Sequence, residues 1–272
     1  MTDHEGTPIW RLHVGDGPLV ATAVHDGHET RPEVTERFAL DDAGRLREED
    51  PCTAEWTMVA PTRVVGLRSR FEVDLNRARE KCVYRVPEDA WGLQVWDGEL
   101  PGDVASRSLD EYDAFYKALG ELYEELAEAH GRFVVFDLHT YNHRRNGPDG
   151  PEADPAGNPQ VNIGTGTLRD RSVWAGVLDR FIGDLSAFDF PGGKLDVREN
   201  VKFFGGNCGK WAHETFPDSA CVLSIEFKKF FMDEWTGEPN PELVDAIGQA
   251  LQSTVPGVLE ELQRLSAGAV RK

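Results

Sequence analysis

No stretch of this chain holds the ~20 consecutive apolar residues that a membrane-crossing helix needs, and its start lacks a charged-then-apolar leader. The expectation is a cytoplasmic protein that neither spans a membrane nor is exported. Cysteine is scarce. Cys52, Cys82, Cys208 and Cys221 are the full set, and none stands in C-x-x-C spacing, so they read as reduced thiols rather than a cysteine metal site. Positive charge is short as well, with 29 Lys and Arg against 48 Asp and Glu, a net charge of -19. Such a field repels phosphate backbones and anionic lipid, which argues against nucleic acid and membrane surfaces as partners. The acids are spread along the chain without a block, which reads as a highly soluble, salt-adapted surface. Internal repeats and an interdomain linker are also lacking, so residues 1–272 read as a single domain.

What is present begins with Phe133-Val134-Val135-Phe136-Asp137-Leu138-His139-Thr140, an apolar strand that ends in Asp-x-His. With a period of two, Asp137 and His139 share a face, so a carboxylate can fix the tautomer of an imidazole beside it. Leu19 to His25 is a second strand of this kind, followed by Asp26-Gly27-His28. Two strands thus deliver histidines at their carboxyl ends, where α/β enzymes build sites. His4, His13 and His130 stand in a tail, a strand and a helix end. His143 and His213 lie where either could meet substrate or only water.

The remaining pattern alternates strand and helix. Pro32 to Leu40 reads as a short helix, Asp41 to Thr53 as an acidic loop, and Arg63–Leu67 and Phe71–Leu75 as short strand-like runs. Ser108-Leu109-Asp110-Glu111 has the form of a capping box opening an amphipathic helix that ends at Gly131. A polar loop from Tyr141 to Gln160 is long enough for a lid or a binding loop. Val161–Thr165 reads as a strand and Ser172–Phe188 as a helix. Val201–Phe204 leads to the glycine-rich Gly205–Gly209, a permissive loop or a plain turn. Cys221–Phe227 is a third apolar strand, and the last helix starts at Pro241, is kinked by Pro256 and ends near Ser266. The expected architecture is a three-layer α/β/α sandwich with a mainly parallel, mixed central sheet.

Glu226 interrupts an apolar strand, where an ionised carboxylate is costly unless a partner or a cavity receives it. In a site it would serve as general base, and the plainer alternative is a buried ion pair with Lys228 or Lys229. Zinc held by two imidazoles and one carboxylate leaves a position open for water, whose proton a nearby Glu can take. Arg70 and Arg77 can each grip a carboxylate in two hydrogen bonds and Asn76 can add a donor, although surface pairing with acids would also account for the arginines. The partner implied is a small anionic substrate bearing a carboxylate.

The segments Val24-His25-Asp26-Gly27, Ser69-Arg70-Phe71-Glu72-Val73-Asp74-Leu75-Asn76-Arg77, Asp137-Leu138-His139-Thr140, Asn162-Ile163-Gly164 and Ser224-Ile225-Glu226 follow one another in a telling order. In order and spacing they resemble the N-formylglutamate amidohydrolase family, from about His25 to Phe227. That family is similar in fold to zinc carboxypeptidases and aspartoacylases, so the resemblance implies a zinc-carboxypeptidase-like (phosphorylase/hydrolase-like) fold and one zinc ion. It further implies His25 and His139 as ligands, Glu226 as base, and Asn76 and Arg77 with Arg70 as a carboxylate clamp. The acidic ligand of the family falls some twenty residues before Ser-Arg, which points to Asp50, with Glu49 and Glu55 as substitutes. Val-His-Asp-Gly departs from the family's Pro-His-Ala-Gly, and His28 is a rival to His25. The loop Asn142-His143-Arg144-Arg145-Asn146 also departs from the family type. The expected activity is zinc-dependent cleavage of an N-acyl (formyl-type) amino acid or small carboxylate-bearing peptide. A carboxypeptidase-like peptide hydrolase and a non-catalytic carboxylate binder on the same fold are the alternatives.

Overall fold

A computed structural model describes residues 9–269, and His4 lies outside them. The strands are β1 (Trp10–His13), β2 (Leu19–Ala23), β3 (Thr62–Gly66), β4 (Phe133–Tyr141), β5 (Val161–Gly164), β6 (Val197–Glu199) and β7 (Ala220–Lys228). The α-helices are α1 (Pro32–Thr35), α2 (Asp42–Glu48), α3 (Thr53–Trp56), α4 (Gly102–His130), α5 (Ala175–Ala187), α6 (Asn207–Thr215) and α7 (Pro241–Ala269). The sheet runs β1-β3-β2-β4-β7-β5-β6. β1 is antiparallel to β3 and β5 to β7, and every other pairing is parallel.

Strand alternation sets two cores and hence three layers. Val20, Phe133, Val135 and Val222 face the aromatic stripe of α4 and the apolar side of α6. Their neighbours Ala21, Val134, Phe136, Leu223 and Ile225 face α5 and α7 on the other side. Continued by two, the first face carries Asp137, His139 and Glu226. The parallel ladder pairs His139 with Glu226, and Asp137 with Ser224 and Thr22. Register therefore sets a candidate ligand beside a candidate base at the carboxyl edge of the central strands.

Several local expectations are corrected. Phe71–Leu75 is coiled rather than extended, with the amides of Glu72 and Val73 both donating to the Ser69 carbonyl (2.9 and 3.2 Å). Its polar-apolar alternation is not that of a half-wet strand, because Glu72 and Asp74 are as buried as Phe71 and Val73. Ser108 opens no helix. α4 begins earlier, after Pro101, and the Ser108 hydroxyl inside it accepts from Arg31 (2.7 Å). The acidic stretch after Asp41 forms α2, since Asp41 caps it by accepting from the Gly44 amide (2.8 Å), and its last residue, Thr53, opens α3. The helix expected over Pro32–Leu40 stops at Thr35, the strand after β5 is Val197–Glu199 rather than Val201–Phe204, and Asn207 already belongs to α6. α7 runs through Pro256 to Ala269, past the end expected near Ser266.

Candidate active site

β2 and β4 end side by side and present their histidines to each other, with ring centroids 5.1 Å apart. His25 Nε2 lies 2.7 Å from Asp74 Oδ1, and His139 Nε2 lies 3.2 Å from Asp137 Oδ2. Each imidazole therefore has a carboxylate on its ε side and turns Nδ1 toward Asp50. Asp137 is itself held by the Thr22 hydroxyl (2.7 Å), its neighbour across the β2–β4 ladder. Gly27 lets this corner form. A Cβ there would stand 2.2 Å from the carbonyl carbon of Leu67, so the turn after His25 packs directly on the chain leaving β3.

Asp50 follows α2 and is tied to the end of β2 by its amide, which donates to the His25 carbonyl (2.9 Å). One carboxylate oxygen accepts from the Thr140 hydroxyl (2.8 Å), and the other lies 3.3 Å from His25 Nδ1 and 3.1 Å from His139 Nδ1. Ligand atoms of His25, Asp50 and His139 all fall within 4.8 Å of one another, and all three residues are buried. Burial alone would raise the Asp50 carboxyl, but the facing imidazoles of His139 and His25 hold it well below its usual range. Burial likewise opposes a charged His139, yet Asp137 and the hydrogen bonds to its carboxylate and to Asp50 hold that imidazole well above its ordinary value. Two imidazoles flanked by the carboxylates of Asp50, Asp74 and Asp137 make a place that favours positive charge. His25 Nδ1 is buried without a hydrogen-bond partner, and two nitrogens with one oxygen form a donor set that fits a zinc ion.

Glu226 stands beside His139 and lines the same cleft, a cavity of about 460 Å³. Burial pushes its carboxyl up to about 7, with His139 pulling it down and Asp50 pushing it further up. The expected alternative, an ion pair with Lys228 or Lys229, is not formed. Lys229 instead donates to the carbonyls of Arg47 (2.5 Å) and Glu49 (2.7 Å), and its ammonium is pushed down to about 8 by burial.

The cationic wall is unequal. Arg70 is 13% exposed and largely occupied, donating to Asp74 Oδ2 (2.9 Å) and to the Glu48 carbonyl (3.1 Å). Arg77 is 29% exposed and only loosely paired, its Nε 3.6 Å from Asp74 Oδ2, with its guanidinium over Tyr84 and Trp91. Asn76 Oδ1 accepts from the Cys208 amide at the start of α6 (2.9 Å), which brings Nδ2 to 3.2 Å from His139 Nε2. Gly206 makes room for that amide, since a Cβ there would lie 2.2 Å from Asn76 Nδ2.

The rival ligands are set apart. His28 Nδ1 pairs with Glu49 Oε2 (2.5 Å), Glu49 also accepts from Ser69, and Glu55 is exposed in α3. His143 is buried in a smaller, separate cavity beside Glu152 and Glu234. His213 is spent on Thr167 (3.0 Å) and on the Val222 amide (2.9 Å). Sequence reasoning missed Asp74, which joins His25, Arg70, Tyr84 and the Asn76 amide. Its signal was an acid four residues after Arg70, alternating with Phe71, Val73 and Leu75. Trp91, Arg145 and Lys202 also line the cleft from loops that carry no periodic signal.

A mainly parallel sheet whose strand ends gather imidazoles and carboxylates in an arginine-lined cleft has the arrangement of an α/β enzyme's binding cleft. Over residues 17–231 the chain matches the model of the N-formylglutamate amidohydrolase family, and it belongs to that family of hydrolases acting on carbon–nitrogen bonds. Its fold is similar to the crystal structure of N-formylglutamate amidohydrolase from Ralstonia eutropha JMP134. The TM-score is 0.69 at 17% identity, covering 95% of this chain and 98% of that one. A gene product of Agrobacterium tumefaciens is also similar, with a TM-score of 0.59 at 17% identity, covering 90% of this chain and 95% of that one. No curated protein matches the chain. Among the described residues no helix is long and apolar enough to cross a membrane.

Proposed function

We propose that this chain is a zinc-dependent amidohydrolase that cleaves the amide of an N-acyl (formyl-type) amino acid or a small carboxylate-bearing peptide. The observation that carries the reading is the convergence of His25 Nδ1, His139 Nδ1 and Asp50 Oδ2 beside a Glu226 that has no ion pair or hydrogen bond among the described residues. His25, Asp50 and His139 would hold the ion, which when bound polarises the scissile carbonyl and makes water acidic.

The chain's own groups supply the rest. Asp74, hydrogen-bonded to Nε2 of His25, keeps that imidazole in the tautomer that offers Nδ1, and Asp137 stands beside Nε2 of His139. Ionised Glu226 takes a proton from the attacking water on a carboxylate oxygen and returns it to the leaving nitrogen. The fork of Arg77 grips the substrate carboxylate while Asn76 adds a donor. Arg70, held by Asp74, contributes fixed positive charge on the same wall. With Glu226→Gln, N-formylglutamate should still bind, and hydrolysis should fall by roughly 10²–10⁴-fold. Hydrolysis by that variant at the wild-type rate would remove Glu226 from the role of base.

A further inference from the structure

Two aromatic rings line the cleft with much of their surface in water, Trp91 at 49% exposed and Phe204 at 60%. Among the described residues, no other large apolar side chain so exposed lines it. Apolar surface kept open to water inside a cleft is surface that a ligand can cover. The backbone fixes both rings. Asn162 on β5 is fully buried and holds the turn before Phe204, its Oδ1 accepting from the amides of Val201 (3.0 Å) and Lys202 (2.8 Å) and its Nδ2 donating to the Phe203 carbonyl (2.8 Å). The Phe204 carbonyl accepts from the Gly166 amide (2.7 Å), and a Cβ on Gly166 would stand 3.0 Å from Phe204 Cβ. Trp91 has a left-handed backbone (φ 55°), which a bulky residue adopts only where its surroundings impose it. The guanidiniums of Arg70 and Arg77 lie 4.9 and 5.5 Å from its ring centroid, and the Tyr84 ring meets it edge-on at 6.2 Å.

Position names the occupant. Trp91 stands against Arg77, and Phe204 lies two residues before Gly206, which packs against the Asn76 amide. The rings thus adjoin the two residues that would grip the substrate carboxylate. In an amino acid the α-carbon carries both that carboxylate and the side chain, so the side chain leaves one bond from the clamp. The remaining cations of the cleft are already engaged, Lys202 with Asn158 Oδ1 (2.6 Å) and Arg145 with Glu48 (3.5 Å). We infer that Trp91 and Phe204 form an apolar subsite beside Asn76 and Arg77, so that the preferred substrate is an N-acyl amino acid with an aromatic or branched aliphatic side chain. This rests on the amidohydrolase reading for the ligand of the clamp.

The test compares N-formylphenylalanine with N-formylglycine on the zinc-loaded wild type, Phe204→Ala, Phe204→Leu and Trp91→Ala, and N-phenylacetylglycine moves the ring to the acyl side. The wild type should favour N-formylphenylalanine over N-formylglycine by roughly 10–100-fold in kcat/KM, the fold-change that burial of one large apolar side chain brings. Phe204→Ala should lose most of that ratio, and Phe204→Leu, which keeps an apolar side chain, should retain most of it. Trp91→Ala also removes the ring beside Arg77, so it should depress both substrates as well as the ratio. Equilibrium binding of 3-phenylpropanoate against propanoate to the metal-depleted protein needs no turnover. The wild type should hold the phenyl compound roughly tenfold more tightly, and Phe204→Ala should lose that margin. That margin without hydrolysis of any amide would support the subsite while removing the hydrolase reading. Equal kcat/KM for the two formyl substrates, a preference shown only by N-phenylacetylglycine, or ratios unmoved by Phe204→Ala would overturn the subsite while leaving the hydrolase intact.

Discussion

Asp74→Asn is the perturbation that separates a positioned metal site from a loose cluster of histidines. Asp74 is fully buried, and its two oxygens face His25 Nε2 (2.7 Å), the Asn76 amide (2.9 Å), an Arg70 nitrogen (2.9 Å) and the Tyr84 hydroxyl. An asparagine keeps the shape but offers one oxygen and turns an NH2 toward two of these donors. Two unsatisfied donors at about 1–3 kcal/mol each, one of them beside a buried guanidinium, give a cost of about 4 kcal/mol. At ~2 °C per kcal/mol for a chain of this size, Tm should drop by roughly 8 °C. If the NH2 faces His25, the ring must take the other tautomer and Nδ1 becomes a donor unable to ligate. Loss of such an outer partner lowers metal affinity by about 10–100-fold. The assay is zinc affinity by competition with a chelating dye, alongside thermal unfolding. Asp113→Asn is the control. Its pair with Arg79 is exposed on both sides and screened by water, so both readings should stay at their wild-type values. Zinc affinity unchanged in Asp74→Asn would refute the argument that this carboxylate sets the ligand.

Arg77→Ala should reduce kcat/KM for a carboxylate substrate by on the order of 2 to 5 kcal/mol and affect the matching neutral amide far less. Equal losses for the two would make Arg77 structural. Gly27→Ala puts a methyl against the Leu67 backbone two residues from His25, and overpacking of this kind costs about 1–3 kcal/mol. Its Tm should fall and its zinc affinity weaken, and an unaltered Tm would contradict the close packing of that turn.

The elements of the site that lie on strand ends were legible in the sequence, because an apolar run that ends in His25, Asp137-x-His139 or an isolated Glu226 violates the composition of a buried strand. Asp50 was reachable only through the family spacing, since one acid among Glu48, Glu49 and Asp50 has no local signature. The structure distinguishes them by direction. Glu49 turns to His28 and Ser69, while Asp50 turns to the two imidazoles. The pairing of β4 with β7 was not legible, because nothing in either run encodes which strand lies beside it. That pairing is what brings Glu226 to His139. The misread segments share a cause. Phe71–Leu75 and Ser108 carry local patterns of strand and cap, but buried charges from distant segments, Arg31 above all, take up their polar groups. Lys202, Arg145 and Trp91 come from loops, where the backbone path is set by tertiary hydrogen bonds such as those of Asn162.

The central claim is that His25, Asp50 and His139 hold one catalytic zinc ion beside Glu226, and the most direct measurement is a zinc titration of the metal-depleted protein while hydrolysis of N-formylglutamate is followed. Activity should rise linearly and saturate near one zinc per chain, and His139→Ala should neither retain the ion nor gain activity. Full hydrolysis by the metal-depleted wild type, or a His139→Ala variant that titrates like the wild type, would contradict the account.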